Sequence, residues 1–137
     1  MSALVTVFVS GLALVLVLGY RRFARRERAA AVVRAGRDAG ASAFAESLGR
    51  PASDRIVHAT FQALVRAGGR TLEAVRADDD LARLYGIVDD DLDDVVREIV
   101  CTLPGGSDAL LKGHHESLRT PRHIVNFVSA LMPNGGE

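Results

Sequence analysis

The chain has 137 residues, 48% of them apolar, with 17 basic and 17 acidic side chains and no formal net charge. As averages these values describe an ordinary soluble domain, yet the apolar residues and the charges are segregated along the chain. The single cysteine, Cys101, excludes an internal disulfide and suits a reducing compartment.

The first expected element covers residues 3–20, ALVTVFVSGLALVLVLGY, which carry no charge. At about 1.5 Å per residue a helix of this length reaches roughly 27 Å, close to the hydrocarbon thickness of a thin bilayer. A cleaved secretory signal has positive charge before its apolar core. Here the order is inverted, and Arg21, Arg22, Arg25, Arg26 and Arg28 follow the core. The expectation is a single N-terminal transmembrane helix with the lipid bilayer as its partner, its short N-terminus outside and everything after Arg21 inside. Residues 21–50 then read as an Arg/Ala-rich juxtamembrane stalk, weakened by Gly36 and Gly40. Its arginines admit two readings, topology control and contact with anionic headgroups. Sixteen arginines against Lys112 alone, with abundant alanine, suggest a GC-rich bacterial genome. The expected location is therefore a bacterial inner (plasma) membrane, single-pass, with the C-terminal domain cytoplasmic.

Residues 51–132 change texture and read as a helical domain, followed by a tail over residues 133–137. SDRIVHATFQALVRAGG offers Ser53 or Asp54 as a cap, places Val57, Phe61, Leu64 and Val65 on one face, and stops at Gly68 and Gly69. A long loop follows, with Leu72, Val75, Leu81, Leu84, Tyr85 and Ile87 expected to plug it into the core. Asp90 or Asp91 can cap the next helix, and Asp93 and Asp94 complement the positive end of its dipole. Leu92, Val95, Val96, Ile99, Val100 and Leu103 form a wide apolar stripe, ended by Pro104, Gly105 and Gly106. Cys101 lies between those apolar positions, and burial is expected for it. A short turn around Leu110 and Leu111 precedes the last helix. That helix starts at Thr120 and Pro121 and presents Ile124, Phe127, Val128 and Leu131. No strand pattern competes, so the fold class expected is all-α, a small bundle of three or four helices behind the membrane anchor. A body below about 80 residues has a small core and modest stability.

The order of these elements resembles the acyl carrier protein family. DDDLARLYG looks like the family's loop leading to a Leu-Gly pair, DDDLDDVVREI is similar to the DSLDxVE start of its second helix, and RTPRHIVNFVSAL is similar to its last helix. The resemblance covers about residues 53–131 and implies an acyl-carrier-like fold. In that family a serine just before the second helix carries the phosphopantetheine arm. The matching position here is Asp91, no serine lies between Gly69 and Gly106, and two extra residues separate Gly86 from Leu92. A carboxylate cannot act as the hydroxyl nucleophile, so Asp91 cannot hold the arm. Ser107, in GGSDALL, is superficially similar to the attachment site of peptidyl carrier domains, but Gly113, His114 and His115 interrupt the helix that should follow. A polar turn is the simpler reading of Ser107.

The acidic run admits further readings. Asp78, Asp79 and Asp80 with Asp89, Asp90, Asp91, Asp93 and Asp94 would hold a hard cation if the two clusters met in space, but no EF-hand spacing is present. As a solvated acidic face, Asp89, Asp90, Asp91, Asp93 and Asp94 would dock a basic protein partner, or serve only capping and solubility. His58, His114, His115 and His123 with Cys101 lack zinc spacing, and Ser107, Asp108 and His114 lack a nucleophile turn. Nucleic-acid binding is not expected, because the basic residues cluster beside the apolar segment while the folded unit is acidic. The sequence therefore points to a membrane-anchored, non-catalytic interaction module, with no catalytic residue, cofactor or metal. Two alternatives stay open, a phosphopantetheine carrier using Ser107 and a divalent-cation-binding regulatory module.

Overall fold

The structure is a computed structural model of the chain, and it describes residues 15–21, 24, 27–28, 31–49, 52–112 and 118–133. The regular elements among the described residues are all helical, with no strand among them. That agrees with the all-α reading, but the expected membrane-spanning helix requires correction. Among the described residues no helix is long and apolar enough to cross a membrane. Residues 15–21 are helical and Val15, Leu16, Val17, Leu18 and Tyr20 are exposed. The remainder of the expected span, residues 3–14, lies outside the described residues.

The chain divides into two units, Met1–Ala35 and Gly36–Glu137. In the first, residues 31–34 are helical, and Arg34 lies 3.9 Å from Glu27. The second unit contains five α-helices and two 3₁₀ helices among its described residues. These are α1 (Ala41–Leu48), α2 (Asp54–Gly68), α3 (Leu81–Tyr85), α4 (Asp89–Thr102) and α5 (Pro121–Leu131), with 3₁₀ helices over Gly69–Ala74 and Asp108–Leu111. Helix α1 falls in the stretch whose composition suggested a stalk. Its apolar side chains nonetheless reach the core, with Phe44 and Leu48 both buried.

Helix α2 is the centre of the bundle and packs against α1, α4 and α5. Ser53 caps it by accepting from the Ile56 N–H at 3.4 Å, and its inner face is Ile56, Val57, Thr60, Phe61, Ala63 and Leu64. The segment expected as a long loop is organised instead by a 3₁₀ helix and by α3. Leu72, Val75, Leu81 and Ile87 are buried as expected, while Leu84 and Tyr85 are half-buried. Helix α4 buries Leu92, Val95, Val96, Ile99 and Val100, with Leu103 buried just past its end. The chain then doubles back at Gly106, where a Cβ would stand 1.7 Å from the Val100 carbonyl oxygen, so only glycine fits. Thr120 caps α5 by accepting from the His123 N–H at 3.3 Å, with Pro121 in the first turn. Ile124, Phe127 and Val128 are buried as expected, and Leu131 is half-buried.

Two long-range backbone hydrogen bonds hold the α2–α4 connection against α5. The Leu81 N–H donates to the Arg119 carbonyl and the Arg122 N–H to the Ala77 carbonyl, both at 2.9 Å. The connection therefore has defined geometry, which fixes the approach of the chain to α4.

Candidate docking surface

Helix α3 ends on Gly86, whose left-handed backbone (φ 72°, ψ 15°) lets its N–H reach back to the Ala82 and Leu81 carbonyls. Ile87 then plugs into the core and Val88 takes an extended conformation as the N-cap of α4. Helix α4 starts at Asp89, so Asp90 and Asp91, expected as caps, both lie inside its first turn. Asp91 stands at its third position and accepts from the Val88 N–H at 3.2 Å. This is the returning half of a capping box, satisfying a donor just outside the first turn. Asp91 is thus a side chain that clamps the helix start.

The five carboxylates of this acidic collar have different duties. Asp91 is used in the cap. Asp94 accepts from Arg97 at 2.9 Å, and Arg97 also donates to Asp108 at 3.0 Å, tying α4 to the second 3₁₀ helix. Asp108 foremost, with Asp94 and then Asp93, raises the Arg97 pKa. Asp89, Asp90 and Asp93 are exposed and make no side-chain hydrogen bond or ion pair among the described residues. Val88, which precedes them in the chain as the N-cap, is 56% exposed.

The other aspartate run is committed to the fold. Asp78 receives two hydrogen bonds from Arg122, at 2.7 and 3.0 Å, and this pairing lowers its pKa. Asp79 is buried and accepts from Arg37 at 2.7 Å and from the Arg76 N–H and the Tyr85 hydroxyl, both at 2.9 Å. Asp80 caps α3 through the Arg83 N–H at 2.9 Å and pairs with Arg119 at 3.3 Å. Three consecutive carboxylates diverge to three arginines, Arg37 ahead of α1 and Arg119 and Arg122 at the start of α5. Among the described residues no group of His, Cys, Asp and Glu could hold a metal ion.

The remaining candidates fall elsewhere. Ser107 is exposed and extended, and only the four-residue 3₁₀ helix follows it. Cys101, expected to be buried, is exposed, because it points away from the α4 stripe between buried Val100 and exposed Thr102. Arg21 and Arg28 are exposed, whereas Arg22, Arg25 and Arg26 lie outside the described residues, as do His114 and His115. His58 and His123 are exposed on separate helices.

A feature the sequence did not announce is an open groove of about 690 Å³ between the outer face of α2 and the end of α4. Ala59, Leu103 and Pro104 form its apolar floor, flanked by Arg55, His58 and Gln62. Arg66 and Glu98 form an ion pair across it. It arises where two helices meet, and no local motif encodes it.

No family model matches the chain, and neither a curated protein nor a solved structure matches it.

Proposed function

We propose that the folded unit is a non-catalytic interaction module with a carrier-like order of helices, docking a basic protein partner through the acidic collar of α4. The observation that carries this reading is the set of uncommitted carboxylates. Asp89, Asp90 and Asp93 stand exposed in the first turns of α4, just after the exposed Val88, while the neighbouring Asp91 and Asp94 are spent within the fold. Opposite charge accelerates encounter and sets register, and an exposed apolar side chain adds contact area once water is displaced. Asp91 as a hydrogen-bonded clamp supports a module that works by contact, since that position has a structural duty and no hydroxyl. Ser107 is a weaker candidate for an attached group, because a single 3₁₀ turn offers little support behind it.

The test measures binding of an arginine-rich amphipathic peptide to the chain and to the variant Asp89→Asn/Asp90→Asn/Asp93→Asn. The substitutions remove three charges and leave the capping Asp91 in place. Affinity should fall by about tenfold or more, with weaker salt dependence, while the circular dichroism spectrum is unchanged. Equal binding by both chains would refute the collar as a docking surface.

A further inference from the structure

We propose that the segment from Gly36 to Gly49 is a strap whose docking sets the geometry of the acidic collar, through a junction of Arg37, Asp79 and Tyr85. Its functional consequence rests on the docking reading above; the structural coupling stands apart from it.

The strap is held by few apolar side chains and many polar ones. Phe44 and Leu48 are its buried anchors, and the Phe44 ring lies 5.6 Å from that of Phe61 on α2. Every other tie leads to the α2–α4 connection or to its support on α5. The Gly40 N–H donates to the Glu73 carbonyl at 2.8 Å, and Arg76 donates to the Asp38 carbonyl at 2.7 Å. The Ala77 N–H donates to Ser47 Oγ at 2.9 Å. Arg122, while paired with Asp78, donates to the Leu48 and Ser47 carbonyls at 2.9 and 3.1 Å, satisfying the open end of α1.

Asp79 is where this network turns toward the collar. Its Oδ2 accepts both Arg37 from the strap and the hydroxyl of Tyr85, the last residue of α3. Tyr85 is three residues from Val88, and the intervening turn is fixed by the Gly86 and Ile87 N–H groups on the Ala82 and Leu81 carbonyls. With the strap docked, a carboxylate only 7% exposed has a guanidinium beside it. Lifting the strap withdraws that cation. Lifting the strap also uncovers Asp79, and a carboxylate without its cation is then drawn toward water and away from the Tyr85 hydroxyl. Tyr85 then loses its fixed acceptor, and the turn that orients Val88 and Asp89 loses its brace. The two arrangements are discrete, which is what coupling between separate surfaces requires.

Amide hydrogen exchange on the full chain tests this, comparing wild type with Arg37→Met and Tyr85→Phe. The reporters are the hydrogen-bonded amides of Gly86, Ile87, Val88 and Leu92 at the collar, Phe44 in the strap, and Leu103 at the far end of α4. Arg37→Met should speed exchange about tenfold at the strap and at the collar reporters while leaving Leu103 within twofold. Acceleration confined to the strap would overturn the proposal. Should Arg37→Met loosen the whole chain, Tyr85→Phe decides, since it keeps the Arg37–Asp79 pair and removes only the hydroxyl that faces Asp79 and Arg37. Faster exchange at both the collar and Phe44 with Leu103 unchanged supports the coupling, and a change confined to the collar, or none there, overturns it. Binding of the arginine-rich peptide, measured on the same variants, separates the two ideas. A wild-type chain that ignores the peptide removes the docking reading, while the exchange pattern still judges the strap.

Discussion

At the scale of single residues, neighbouring aspartates with the same chemistry have unlike roles because their partners come from distant parts of the chain. Asp78, Asp79 and Asp80 meet Arg122, Arg37 and Arg119, 39 to 44 positions away. Asp89, Asp90 and Asp93 meet solvent. Nothing in the two strings DDD and DDDLDD distinguishes the committed from the uncommitted carboxylates. The capping potential of Asp91 was legible, since Asp near a helix start satisfies open amides wherever it occurs. Thr60 provides a test in the interior. It is fully buried on α2 and its hydroxyl has no hydrogen-bond partner among the described residues. Valine has nearly the same shape without the polar atom, so Thr60→Val should raise the free energy of unfolding by about 1 kcal/mol, read as a higher urea midpoint at unchanged slope. A lower midpoint would mean that the hydroxyl is satisfied.

At the scale of elements, the helices with wide apolar stripes were readable and α1 was not. The α4 stripe, Leu92 to Leu103, is buried position for position, and the caps Ser53 and Thr120 act where the sequence placed them. Such features follow from helical periodicity and from local hydrogen bonding, which need no knowledge of the rest of the chain. Helix α1 has only Phe44 and Leu48 as large apolar residues in an alanine-rich run. Its docking depends on Ala77, Asp79 and Arg122, which sequence reading could not place beside it. The 3₁₀ helix after α2 and the short α3 were likewise hidden within an expected loop. If α1 is a true member of the core, Phe44→Ala should cost about 3–5 kcal/mol in a denaturant titration of the full chain. A loss below about 1 kcal/mol would place the helix at the periphery of the folded unit instead.

At the scale of the whole molecule, ion pairs between distant segments make stability depend on acid. The Asp78 pKa is lowered by Arg122, so the contribution of this pair is complete above the ordinary carboxylate range and disappears as pH falls through the lowered value. Thermal melts of wild type and Asp78→Asn should therefore differ above the ordinary carboxylate range and converge as acid takes the pH below the lowered value. The gap is expected to be small and to shrink in added salt, because the Asp78 side chain is 74% exposed. A gap that is constant with pH would assign the role of Asp78 to something other than its charge.

The sequence alone determined the helical class, the three principal helices, and the caps of α2 and α5. Each of these depends on residues within a few positions of one another, where periodicity and hydrogen-bonding geometry act directly. Tertiary structure decided that Phe44 and Leu48 belong to the core and which carboxylates remain uncommitted, and it also exposed Cys101 and formed the groove between α2 and α4. Those outcomes depend on which distant groups share a neighbourhood. Burial and pairing energies are set by that neighbourhood, and local sequence cannot specify it.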